Sequence, residues 1–138
     1  MENKDIIELT REVGRQLQRE EVYIAYQAAK QAADDDKQLQ ELIEDFDKVR
    51  TDIAVETAKD EDDRDNEKIR SLNERMRKVY AKIMTNERMI GYNDAKDEFD
   101  ALMARITAII QQSSEGNDPD TADYAASCSG NCAACGGC

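Results

Sequence analysis

The sequence predicts an all-α protein, an antiparallel helical bundle built on long helical hairpins and followed by a flexible cysteine-rich C-terminal tail. Three observations carry this. Apolar residues recur in alternating steps of three and four over most of the chain, which is the spacing of one helix face. Charged residues make up 36% of the 138 residues and aromatic residues only 5%, a balance that suits long solvated helices better than a thick globular core. The single proline, Pro119, comes after the last periodic segment, so nothing interrupts a helix before it. The expected organisation is a helical domain over 1–114, a flexible linker over 115–127 and a cysteine-rich tail over 128–138.

The first helix is expected over residues 3–19. Ile6, Leu9, Val13 and Leu17 share a face there, and Asn3 can serve as the cap. Gly14 lies within it at a cost of about 1 kcal/mol relative to alanine, tolerated rather than required. A second helix carries Val22, Tyr23, Tyr26, Ala29 and Ala33 on one side. Asp34, Asp35 and Asp36 then offer capping oxygens and negative charge for a third helix, and Gln38 stands three residues after Asp35 as in a capping box.

The third helix places Leu39, Leu42, Phe46, Val49 and Ile53 on a heptad seam that ends near Ala58. The stretch KDEDDRDN has no apolar residue, so it reads as the solvated tip of a helical hairpin. The seam resumes at Ile69, Leu72, Met76, Val79 and Ile83. Thr85 or Asn86 next caps a last helix with Tyr92, Ala95, Phe99, Leu102, Ile106 and Ile109 aligned. Short turns make neighbouring helices antiparallel. After Gln112 the periodicity stops and Gly116 and Pro119 enter, which sets the domain boundary near Ser114. Met76, Met84, Met89 and Met103 are expected to fill gaps in the core, and Tyr23, Tyr26, Tyr80 and Tyr92 to border the seams. Paired apolar residues such as Leu42 with Ile43 and Ile109 with Ile110 widen the stripe beyond one partner helix, so self-association is expected.

Composition excludes several functions. A net charge of −12 repels a phosphate backbone, which argues against direct nucleic-acid binding. No apolar run approaches the ~20 residues needed to span a bilayer, and MENKDIIELT lacks a signal-peptide core, so a cytoplasmic protein without membrane insertion is expected. There is no histidine, no serine-centred nucleophile motif and no phosphate-binding glycine loop, hence no constellation for acid–base or nucleophilic catalysis. The expectation is a protein that is not an enzyme. The acidic runs near Asp34 and Asp60 lack the alternating ligand pattern of an EF-hand, so they read as a helix cap and a solvated turn.

The chemistry concentrates in CSGNCAACGGC, which holds all four cysteines: Cys128, Cys132, Cys135 and Cys138. Thiols in a reducing compartment cluster for metal binding or redox work more often than for structural disulfides. The spacing C-x3-C-x2-C-x2-C, with glycine and alanine between, lets successive sulfurs turn toward one centre. Four thiolates suit tetrahedral zinc, and three close cysteines with a fourth from the tail or a partner suit an iron–sulfur cluster. A reversible disulfide within the tail is the metal-free alternative.

The segments EEVYIAYQAAKQAADDDKQLQELIEDFDKV and NERMIGYNDAKDEFDALMARITAII, with their Tyr-x2-Ala step, acidic cap and Asn-led last helix, resemble the YlbF/YmcA family of small helical bacterial regulators. The resemblance covers residues 4–112. It implies an oligomerising helical bundle with no enzymatic activity of its own, acting in a complex with a YmcA-type paralogue and a YaaT-type PSP1-domain protein. That complex carries iron–sulfur clusters, expected here as 4Fe-4S with zinc as the alternative. It acts on the endoribonuclease RNase Y, and thereby on mRNA processing, competence, biofilm formation and sporulation. Carried over by position, the ligands implied are Cys128, Cys132, Cys135 and Cys138.

Overall fold

A computed structural model describes residues 3–125, and these form five α-helices and one 3-10 turn with no strand among them. The helices are α1 (Ile6–Leu17), α2 (Glu21–Asp34), α3 (Lys37–Thr57), α4 (Asn66–Met84) and α5 (Glu87–Ser114). The chain divides into two compact units, Met1–Lys96 and Asp97–Cys138.

Local chemistry sets the helix starts, and it corrects two of the expected caps. α1 starts from Asp5 and not from Asn3: the Asp5 backbone is extended and its carboxylate accepts from the Ile7 N–H at 3.3 Å. A full negative charge beside the first orphan amides is the stronger cap. At α3 the cap is Asp36, whose Oδ1 accepts from the Leu39 N–H at 3.1 Å. Asp35 is still in right-handed helical conformation as the last residue of α2's turn, so it is not available to open the next helix. Its carboxylate instead accepts from Gln31 Nε2 at 3.0 Å. Of the two candidates before α5, Asn86 caps, with Oδ1 accepting from the N–H groups of Arg88 at 2.9 Å and Met89 at 3.1 Å.

In the first unit α3 and α4 pack as an antiparallel hairpin. Asp45 meets Arg75 at 2.5 Å and Phe46 meets Tyr80 with ring centroids 6.1 Å apart, while Glu56, further along α3, lies near Lys68 at 3.7 Å, nearer the start of α4. The core sits where α2 joins the hairpin. Ala33, Leu39, Val79 and Ile83 are buried together, with Leu42, Ile43, Phe46, Met89 and Tyr92 packed around them. Leu39 is fully enclosed, as is Val49 one helical stretch further along α3. Burying a side chain of that size is worth roughly 1.5–3 kcal/mol.

The same core is tied by polar contacts between two helix starts. Asp36 Oδ2 accepts from Asn86 Nδ2 at 3.4 Å, so the caps of α3 and α5 hold one another. Tyr26 and Tyr92 add a tilted ring pair at 5.8 Å. Met84, expected to fill a gap in the core, faces outward instead, and Tyr80, expected at the border of the seam, is 53% exposed. The buried seam of α4 runs through Val79 and Ile83, and each of these two follows a seam residue by one position, about 100° further round the helix.

The hairpin tip is organised from within. After α3, the acidic stretch forms a single 3-10 turn, Glu61–Asp63, before Asp65 caps α4 by accepting from the Lys68 N–H at 3.1 Å. Glu56, only 2% exposed, reaches under this turn. Its carboxylate accepts from the Asp65 N–H at 2.8 Å and from Lys59 Nζ at 2.9 Å. Those partners hold its pKa below the usual carboxylate value, the backbone N–H of Asp65 first and Lys59 second.

Candidate functional site

All four cysteines, Cys128, Cys132, Cys135 and Cys138, lie outside the described residues, so the proposed ligand set is judged by its chemistry. Four thiols and no imidazole in the entire chain make a soft, purely sulfur donor set. Such a set fits an iron–sulfur cluster or thiolate-bound zinc and disfavours a hard cation such as Ca²⁺ or Mg²⁺. Among the described residues no three acidic side chains gather as a metal site.

The described residues do define the base from which that tail departs. α5 ends in a Schellman motif: Gly116 adopts φ +89°, its N–H donates to the Ser113 carbonyl at 3.1 Å, and the Asn117 N–H donates to the Gln112 carbonyl at 3.0 Å. The chain then turns over 118–121, with the Asp118 carboxylate accepting from the Asp120 N–H at 3.0 Å. Beyond the turn it comes back along α5.

Asp123 secures the return. Arg105 donates to both of its carboxylate oxygens, each at 3.0 Å, in the bidentate geometry that suits a guanidinium. Gln112 Nε2 donates to the Asp123 carbonyl at 2.8 Å, and the neighbouring Ala122 is buried. The Arg105 guanidinium lowers the Asp123 pKa, and the Tyr124 N–H adds to the shift. The stretch read from sequence as a linker therefore begins with a hooked segment tied to α5 through Asp123. Arg105 and Asp123 are eighteen residues apart, beyond any helical spacing, and sequence periodicity gave no signal for their pairing.

A second feature is an apolar surface with nothing over it among the described residues. α1 buries none of its residues, and Ile6, Ile7, Leu9 and Val13 are all exposed, Ile6 to 73%. Its own ion pairs, Arg15 with Glu8 at 2.8 Å and Lys4 with Glu12, hold only the polar side. A helix of 12 residues is marginal in water without tertiary packing. Contiguous exposed apolar residues on such a helix mark a contact surface.

The larger hollows, of about 440 to 610 Å³, are open surface depressions lined mostly by polar and charged side chains. A cleft of about 150 Å³ lies between Lys30, Ala33, Gln40, Ile43, Met89 and Tyr92, below the roughly 300–1,000 Å³ usual for small-molecule sites. No described helix is long and apolar enough to cross a membrane.

These features define a class: a small protein that is all-helical over its described residues and leaves an apolar helix face uncovered among them. Residues 6–113 match the family described as control of competence regulator ComK, YlbF/YmcA. The chain belongs to that family. No curated protein and no solved structure matches it. The match ends at residue 113, so the hook and the cysteine tail lie beyond the matched stretch.

Proposed function

We propose that this chain is a cytoplasmic, non-enzymatic regulatory adaptor. It works as an oligomer in a complex with a YmcA-type paralogue and a YaaT-type PSP1-domain protein. Through that complex it modulates RNase Y-dependent mRNA processing, and with it competence, biofilm formation and sporulation. The observation that carries this reading is family membership across 6–113, in a family described by its control of ComK. The uncovered apolar face of α1 supports it, because an adaptor needs surface that only a partner or another copy completes.

In this reading Cys128, Cys132, Cys135 and Cys138 hold an iron–sulfur cluster, 4Fe-4S in type. A cluster of that kind, when bound, supplies an oxidation-sensitive iron centre. The Arg105–Asp123 pair holds the segment around Asp123, ahead of the tail, along α5, and the helix faces dock the partners. RNA is not contacted directly, in keeping with the net charge of −12.

The test has two arms. Anaerobic purification of the full chain, and of a chain ending at Ser127, followed by iron, sulfide and zinc analysis should give iron and sulfide that disappear with the tail. Zinc alone would replace the cluster by a structural or storage site. Serine at all four cysteines should weaken co-elution with the YaaT-type partner and alter RNase Y-dependent transcript cleavage. Unchanged behaviour in both assays would remove the tail from the mechanism.

A further inference from the structure

The charge of this chain is unevenly placed. α4 carries six basic side chains, Lys68, Arg70, Arg75, Arg77, Lys78 and Lys82, against Glu67 and Glu74, a net +4 in a chain of −12. Part of this positive charge faces the hairpin, where Arg75 meets Asp45 and Lys68 meets Glu56. Arg70 and Arg77 form no ion pair within the described structure.

They belong to a second seam. Asn66, Arg70, Asn73, Arg77, Tyr80 and Met84 follow one another in alternating steps of four and three, the spacing of a face that packs along another helix. This stripe lies beside the one buried on α3. Its first part, with Ile69 and Glu74, lines an open surface depression on α4 alone, and at its far end Tyr80 and Met84 are exposed.

The first turns of α5 carry the complementary pattern. Glu87, Ile90 and Asp94 share a face, in steps of three and four. Ile90 is 45% exposed between the two carboxylates, neither of which forms an ion pair in the described structure. Seven residues at 1.5 Å rise put each pair of charges about 10.5 Å apart along its helix, so the spacing of the arginines equals the spacing of the acids.

We infer that the second seam of α4 docks on the Glu87–Ile90–Asp94 face of α5 in a second copy of the chain. The interface is isologous: α4 of each copy meets α5 of the other, and the four ion pairs recur about the twofold axis. Exposed ion pairs add little affinity individually, so the ladder selects partner and register, while burial of Ile90, Tyr80 and Met84 supplies the attraction. The inference rests on the self-association proposed above and specifies its contact.

The test is a charge swap in the full-length protein, with self-association followed by sedimentation equilibrium. R70E/R77E and E87R/D94R should each weaken association at least about tenfold with helical content and melting temperature retained. An equimolar mixture of the two variants, or one chain carrying all four changes, should restore it to near the wild-type value. I90S is the uncharged check and should weaken association without introducing repulsion. Wild-type association insensitive to both reversals, or weakened by them and not restored in the mixture, would overturn this contact and leave self-association through another face. A wild-type monomer at micromolar concentration would remove both.

Discussion

α1 and the α3–α4 hairpin are written in the same apolar rhythm and end in opposite environments. In the hairpin, Leu39, Val49, Val79 and Ile83 are buried. In α1, Ile6, Leu9 and Val13 keep the same spacing and stay exposed. Amphipathic spacing specifies a helix and the direction of its apolar face. It does not say whether the opposing surface comes from the same molecule, and that difference separates the folding core from a face left uncovered among the described residues.

Substitutions at the two sites should separate accordingly. The largest effect is expected from Leu39→Ala, which empties a fully enclosed position and should cost about 2–5 kcal/mol in chemical denaturation. Next is Glu56→Gln, which keeps the acceptor for the Asp65 N–H and loses the charge facing Lys59 and Lys68. Its melting temperature should fall at neutral pH. The folded pKa of Glu56 lies below its ordinary value of 4.5, so its stabilisation is complete above that value and is lost as pH falls through the folded pKa. The gap between wild type and Glu56→Gln should therefore be constant near neutrality and close on acidification.

Asp36→Ala removes the α3 cap and the partner of Asn86 together, and should cost about 1 kcal/mol, measurable in urea. Gly14→Ala should stabilise the protein by up to about 1 kcal/mol, because a side chain there meets nothing within 4 Å and alanine is the better helix former. A loss of association in Gly14→Ala would show instead that this position is a close contact between chains. Smallest in stability is Leu9→Ala, expected within about 0.5 kcal/mol of wild type in dilute solution. Its signature should be weaker self-association or partner co-elution, and a large loss of stability would place α1 with the hairpin core.

Much of the fold was legible in the sequence. Four of the expected seam residues of the hairpin, Leu39, Val49, Val79 and Ile83, are buried, the acidic stretch is the hairpin tip, and the last helix ends at Ser114 where the periodicity does, although its own seam buries no residue. Glu56 was also within reach: it follows Val49 and Ile53 by the same steps of four and three, and a carboxylate on a seam beside a turn signals an internal anchor. The exposure of α1 was not legible, because its spacing is no different from that of a packed helix. Family membership was visible in the helical segments, while the four cysteines lie outside both the matched and the described residues.

The sequence by itself determined the helices, their caps to within two residues and the apolar face of each, since these depend on neighbours a turn away. It also concentrated every thiol at one end. Only the tertiary structure decided which faces close on the chain's own atoms, that Asp36 and Asn86 bind their two helices together, and that Arg105 brings Asp123 back along α5. Those outcomes depend on distances between residues far apart in sequence. Local spacing carries no information about such distances; chain packing alone sets them.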